Sequence, residues 1–224
     1  MSSQPRVGYV VEGQTDFTVI DELISRFLGT DNYVPARIQP PYSEITNHLG
    51  DYGGGWKGVF GWASDIGSNQ GGITTSAVLA NTDFLVIHVD ADIASKTDGP
   101  SELSSDCPPA RQTCDNIRNH LTGLLGAESP KIVYCIPAQA TEAWVFAALH
   151  YDETSKYDPL ECRPDVADLL INKPHRLVRG GSKKQVVNYV RAAREIANGW
   201  RHACQVCPEA ARFEAEFKAA MQQY

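Results

Sequence analysis

Apolar residues gather into four short runs along this chain, and each run stops at an acid, a proline or a glycine. Arg6 to Val11 reads as a first β-strand. Gly13 then permits a tight turn, and Thr15 or Asp16 is placed to cap a helix. Phe17, Ile20, Ile24 and Phe27 recur at helical spacing until Gly29 ends the pattern. Tyr33 to Gln39 predicts a second strand, closed by Pro40-Pro41. A short helix around residues 73–81 leads into a third, Asp83 to Val89, and Lys131 to Ile136 gives a fourth, ended at Pro137. Between the last two, Ile117, Leu121, Leu124 and Leu125 mark a helix over Pro108 to Leu125. Gln139 to His150 reads as an amphipathic helix carrying Trp144, Val145, Ala148 and Leu149. The β-α alternation predicts an α/β fold: a mostly parallel sheet with helices on both faces.

Beyond residue 150 the pattern turns helical. Ser182 to Ile196 is basic and amphipathic, and Pro208 to Met221 carries Phe213 and Phe217. The expected organisation is therefore a core over residues 1–150 and a basic, helical C-terminal extension over 151–224 packed upon it. Residues 50–72 interrupt the pattern. Nine glycines occur there with Trp56, Phe60 and Trp62 among them, and no Gly-Lys-Ser/Thr follows, which excludes a Walker A loop. A glycine-rich insertion, irregular or folded as a short hairpin, is expected, with a mobile loop near the site as the alternative.

Composition narrows the class. No apolar run approaches the roughly 20 residues that cross a bilayer, and the opening Met1-Ser2-Ser3-Gln4-Pro5-Arg6 lacks an apolar segment of the signal-peptide kind. A cytoplasmic protein with no membrane partner is expected, and its six cysteines are expected to be reduced thiols. The net charge of −7 argues against nucleic acid until its distribution is read. Residues 1–162 carry a net −12, residues 163–201 a net +6 and residues 202–224 a net −1. A metal-binding acidic part joined to a phosphate-binding basic part suits a polyanionic substrate, and a solvated basic helix face is the other reading.

The chemistry concentrates where two apolar runs end in carboxylates. Val10-Val11 leads to Glu12 and Asp16, and Phe84 to Val89 leads to Asp90-Ala91-Asp92. In an open parallel sheet, ligands bind beyond the carboxyl ends of the strands. Carboxylates gathered there repel one another unless a cation holds them, and hard oxygen donors favour Mg²⁺ (or Mn²⁺). Asp90 and Asp92 share a face if extended backbone persists, Glu12 joins from a neighbouring strand, and Asp16 lies one helical turn further on. One or two ions are accommodated by that set. Two ions roughly 3.5–4 Å apart clamp the oxygens of a phosphodiester, so a distance above about 10 Å between Glu12 and Asp90 would overturn the reading. Cys204-Gln205-Val206-Cys207 is half a zinc site at most, which Cys162, His175 or His202 could complete; a packed thiol pair is the simpler reading. His88 precedes the acids and is assigned to core packing.

These motifs resemble the Toprim domain of topoisomerases, bacterial primases and the overcoming-lysogenization-defect nucleases, which places a glutamate after the first strand and an Asp-x-Asp pair after a later one. Glu12-Gly13-Gln14-Thr15-Asp16 is most similar to small stand-alone Toprim proteins of prokaryotic defence loci, which usually have a glutamate where this chain has Asp16. Their Glu-Ala-Trp helix motif matches Glu142-Ala143-Trp144, and their closing cysteine-and-aromatic helix is similar to Cys207-Pro208 with Phe213. The resemblance spans most of the chain. It implies a Toprim-like core and a Mg²⁺-dependent nuclease that hydrolyses DNA or RNA, an effector against phage or plasmids. It also implies Glu142 as a further ligand or an orienting group, the alternative being a helix N-terminal acid. Related nucleases steady the transition state with a lysine, which points to Lys183 or Lys184, with Lys173 behind them; Lys183 is taken as the catalytic one. An ATPase encoded nearby is an implied partner, and a homodimer is compatible. Two other readings compete: a non-catalytic module that binds nucleic acid, nucleotide or a partner protein, and a phosphatase in which Asp90 is the phosphorylated nucleophile.

Overall fold

The computed structural model describes residues 4–41 and 52–224. Gly50 and Asp51 of the glycine-rich stretch lie outside them. Four parallel strands form one sheet in the order β2-β1-β3-β4, with β1 at Arg6–Val10, β2 at Val34–Gln39, β3 at Phe84–His88 and β4 at Ile132–Cys135. The expected α/β class is what the chain adopts. β1 and β3 are central neighbours, paired Tyr9 to Val86 and Val10 to Ile87. The two runs that end in acids therefore lie side by side.

Side chains alternate across a strand, and the core divides accordingly. Val7, Tyr9, Phe84 and Val86 point into one apolar cluster, and Val10, Leu85 and Ile87 into another. The first cluster is covered by α1 (Gln14–Leu28), α5 (Thr141–Leu149), α6 (Val186–Asn198), α7 (Trp200–Val206) and α8 (Pro208–Met221). The second is covered by α2 (Gly55–Asn69), the single turn α3 (Ala77–Ala80) and α4 (Arg111–Leu125). Helices thus lie on both faces, and the C-terminal helices share a buried core with β1 and β3. No helix among the described residues is long and apolar enough to cross a membrane.

Three expectations are corrected here. The glycine-rich stretch is neither a hairpin nor a loop over most of its length, because α2 occupies Gly55–Asn69. Each interior glycine costs about 1 kcal/mol against alanine, yet Val59, Trp62, Ala63 and Ile66 recur at helical spacing and are all buried. Close packing also selects glycine there: a methyl group at Gly67 would overlap the carbonyl oxygen of Leu124 on α4. Helix α5 is not amphipathic. Thr141 through Ala148 are buried on every side, since α6, α7 and the 3-10 turn Val166–Leu170 all pack against this helix. Nor are all six cysteines thiols. Cys107 and Cys162, with Cα atoms 5.6 Å apart, form a disulfide that ties the loop before α4 to the short 3-10 turn Leu160–Cys162.

That turn also carries a buried acid. Glu161 accepts hydrogen bonds from the indole N–H of Trp144 at 2.8 Å and the backbone N–H of Glu209 at 3.1 Å. Burial nevertheless pushes its carboxyl up from 4.5 to about 7. The unfolded chain ionises this group first, so its contribution is fully present below pH 4.5 and declines as pH rises through about 7. The loss amounts to roughly 3 kcal/mol. Urea unfolding in chelator across this range should show Glu161→Gln falling less steeply with pH than the parent; parallel curves would refute the assignment.

Candidate functional site

At the carboxyl ends of β1 and β3 the chain must turn, and the turns bring acids together. Glu12 follows β1 directly. Its Oε1 accepts the backbone N–H of Asp90 at 2.9 Å across 78 residues of sequence, far inside the limit set above. Burial first, and then the charge of Asp90, push the Glu12 carboxyl up to about 8.

Asp16 was expected to cap α1, as was Thr15. Neither does: Gly13 is the N-cap residue and no side chain caps the helix. The buried Asp16 carboxylate is thereby left for the site, where Oδ1 has no hydrogen bond and stands 3.5 Å from Lys184 Nζ.

Asp90 is buried against the start of α5. Its Oδ1 accepts the Thr141 backbone N–H at 3.1 Å and the Thr141 hydroxyl at 3.3 Å. Ala140, the N-cap residue of α5, offers no side-chain cap, so a carboxylate from β3 does that work and gains from the helix dipole. His88 Nε2 lies 3.2 Å from the same oxygen and 3.0 Å from Thr141 Oγ1. Burial opposes ionisation of Asp90, but the bond to and charge of His88, then Lys184 and the Thr141 N–H, bring its carboxyl below the usual value. Burial likewise opposes a charged His88, and Asp90, Asp16 and Glu12 outweigh it, raising the imidazole to about 9.

His88 is thus a site residue, which corrects its assignment to core packing. Residues 84, 86 and 88 share the α1 and α5 face of the sheet, so the ring points at Asp16 and Thr141 and not into an apolar interior. Ligand atoms of Asp16, His88 and Asp90 lie within 4.8 Å of one another, and this cluster could hold a metal ion. It is the one such group among the described residues.

The other expected ligands stand apart from it. Extended backbone ends at His88, and Ala91–Ser95 turns into a 3-10 helix. Asp92 lies outside the three-residue cluster and pairs with Lys96 at 2.8 Å. Burial, opposed by Lys96, raises its carboxyl. Glu142 is fully buried in the first turn of α5, where Oε1 accepts from the Tyr189 hydroxyl at 2.7 Å and meets Lys184 Nζ at 2.9 Å. Its Oε2 has no partner, and burial, opposed by Lys184, pushes its carboxyl up.

The basic group at these acids is Lys184 rather than Lys183. Both belong to a two-stranded hairpin, β5 (Val178–Arg179) and β6 (Lys183–Lys184), where a helix start was expected. Alternation turns Lys184 inward with its cross-strand partner Val178 and turns Lys183 out to solvent with Arg179. Burial works against the ammonium of Lys184, yet Asp16, Glu142 and Asp90 raise its ionisation well above the ordinary value. Lys173 is engaged elsewhere, by Glu153. The proposed zinc set is not assembled. Cys162 is in the disulfide, Cys204 bonds to Glu214, His175 to Glu195, and His202 stacks on Tyr151.

Charge summarises the geometry. Four buried or nearly buried acids, Glu12, Asp16, Asp90 and Glu142, face two cationic side chains, His88 and Lys184. Fully ionised, the group carries a net −2 with His88 protonated and −3 with it neutral, an excess of negative charge that a cation would offset. Without one, burial and mutual repulsion raise the carboxyls of Glu12 and Glu142 and so favour their protonated forms. No family model matches the chain, and no curated protein and no solved structure matches it.

Proposed function

We propose that this chain is a metal-dependent phosphodiesterase of Toprim type that cuts DNA or RNA, with the anti-phage or anti-plasmid role its motifs imply. The observation that carries the reading is the meeting of Glu12 with Asp90, and of both with Asp16 and His88, beyond the ends of two central parallel strands. The donor set fits a cation. Asp16 Oδ1 and Glu142 Oε2 are buried without hydrogen-bond partners, and the charge deficit has the right sign. Asp16, Asp90 and His88 would hold it, His88 giving up its imidazolium proton to do so. Two carboxylates with an imidazole suit Mn²⁺ as well as Mg²⁺, and one cluster supports one ion rather than two. A divalent cation there would polarise a phosphoryl oxygen and offset the charge that develops on it.

The protein groups supply the rest. Glu12, with its ionisation near neutrality, is suited to deliver a proton to a leaving oxygen or to take one from water. Lys184 provides a fixed positive charge beside the acids. Thr141 fixes the Asp90 carboxylate, and Tyr189 fixes Glu142, so neither can drift from its orientation.

A second reading, a binding module without turnover, is favoured by one observation. The charges of Lys184 and His88 already neutralise part of the acidic group. Incubating the protein with single-stranded DNA, duplex DNA and total RNA separates the two. Cleavage with Mn²⁺ or Mg²⁺ that chelator stops is the expected result. Intact nucleic acid under every condition, from protein that still binds oligonucleotide, would instead establish the binding module.

A further inference from the structure

The hairpin that delivers Lys184 carries a second charged feature on its other face. Arg179 and Lys183 are directly opposed across β5 and β6, both are exposed, and neither forms an ion pair among the described residues. Like charges at opposed positions of an antiparallel pair destabilise it, so this pair of strands works against itself until an anion arrives. An acid on the adjoining turn, Asp168, accepts a hydrogen bond from the Ser182 hydroxyl at 2.8 Å and forms no ion pair with either cation.

Two independent features mark the same segment. The described non-glycine residues with left-handed backbone are Asn172, Arg176 and Ser182, and all fall within the stretch that leads into and forms the hairpin. Such backbone costs on the order of 1–3 kcal/mol per residue and persists where the surrounding structure enforces it, commonly at functional sites. The tip also projects into open space, since a side chain at Gly180 or Gly181 would meet nothing within 4 Å. Beside it, the first turns of α6 expose Val187 at 62% and Val190 at 58%, with Arg191 next to them, an apolar and basic surface suited to sugars and phosphates together.

Resting on the reading above, we infer that the outward face of the β5–β6 hairpin is the nucleic-acid-binding element, with Arg179 and Lys183 seated on consecutive backbone phosphates. Lys183 and Lys184 are neighbours on a strand, so one binds the backbone while the other faces the acids. The hairpin then anchors the nucleic-acid backbone outside the cluster of Asp16, His88 and Asp90, and it reads backbone charge without reading sequence.

The test is binding by the full chain in chelator, where cleavage cannot intrude. Fluorescence anisotropy is followed with a short labelled single strand and a short labelled duplex over a range of salt. The double variant Arg179→Ala, Lys183→Ala should bind more weakly, with its log K against log salt plot flatter by about 1.4 for the single strand or about 1.8 for the duplex. The strand type with the larger loss is the one the hairpin engages. The charge-preserving pair Arg179→Lys, Lys183→Arg should restore the slope. Both side chains are exposed and their removal only relieves repulsion, so the melting temperature should not fall, and a folded double variant keeps the comparison valid. Unchanged affinity and slope in the alanine variant, alongside retained Mn²⁺-dependent cleavage, would overturn the hairpin assignment and leave the nuclease reading standing. Failure of the parent protein both to bind and to cleave would remove the nuclease reading, and this inference with it.

Discussion

Replacing Asp90 with asparagine is expected to cut metal-dependent cleavage by at least about 10³-fold, or roughly 4 kcal/mol of transition-state stabilisation. The size follows from position. Asp90 belongs to the Asp16 and His88 cluster, touches Glu12 through its own backbone N–H, and holds His88 in place. Asparagine keeps an acceptor for the Thr141 N–H, so the start of α5 stays capped and the fold should survive. Two readouts are needed. The initial cleavage rate should collapse, and the rise in melting temperature on adding Mn²⁺ should shrink or vanish. A folded variant that cleaves within about tenfold of the parent would sink the site.

The parts of this site that were legible in the sequence are those fixed by strand periodicity. Glu12 and Asp90 each follow an apolar run, and parallel pairing of β1 with β3 brings them together without further information. The losses have physical causes. His88 sits among apolar residues, and burial by itself argues for packing; only the period of two, which gives it the face of Asp90, could have flagged it. Asp92 failed because a strand cannot announce where its hydrogen-bonded ladder ends; it lies in the 3-10 turn that follows β3 and outside the three-residue cluster. Lys183 and Lys184 differ by one position in a strand of two residues, so the inward lysine depends on a register no local pattern encodes. Helix α2 was obscured by its glycines, of which Gly67 is required by close contact with α4. Thr141 and Tyr189 act through hydrogen bonds to acids distant in sequence, and no spacing signal marks them.

The charge deficit makes Lys184 the residue whose loss should split two properties that ordinarily fall together. In the metal-free protein its ammonium stands between Asp16 and Glu142, doing in part what a cation would do. Lys184→Met leaves those carboxylates to repel one another. Breaking a buried pair typically costs 3–5 kcal/mol, and the side chain is 30% exposed, so a loss of about 2–3 kcal/mol is expected. That corresponds to a fall of roughly 4–12 °C in melting temperature for a chain of this size. Adding Mn²⁺ should recover more stability in the variant than in the parent, because no ammonium competes for Asp16. An affinity for Mn²⁺ tighter by about tenfold would register as about 1.4 kcal/mol of additional stabilisation at saturating ion. Cleavage should move the other way and fall by about 10²-fold, since the charge beside the scissile phosphate is gone. Tighter metal binding with slower turnover is not the signature of a misfolded variant, which would lose both, and Lys184→Gln should show the same split. Equal Mn²⁺ stabilisation in parent and variant would mean that the ammonium and the ion never share Asp16, and the cation would then have to sit elsewhere.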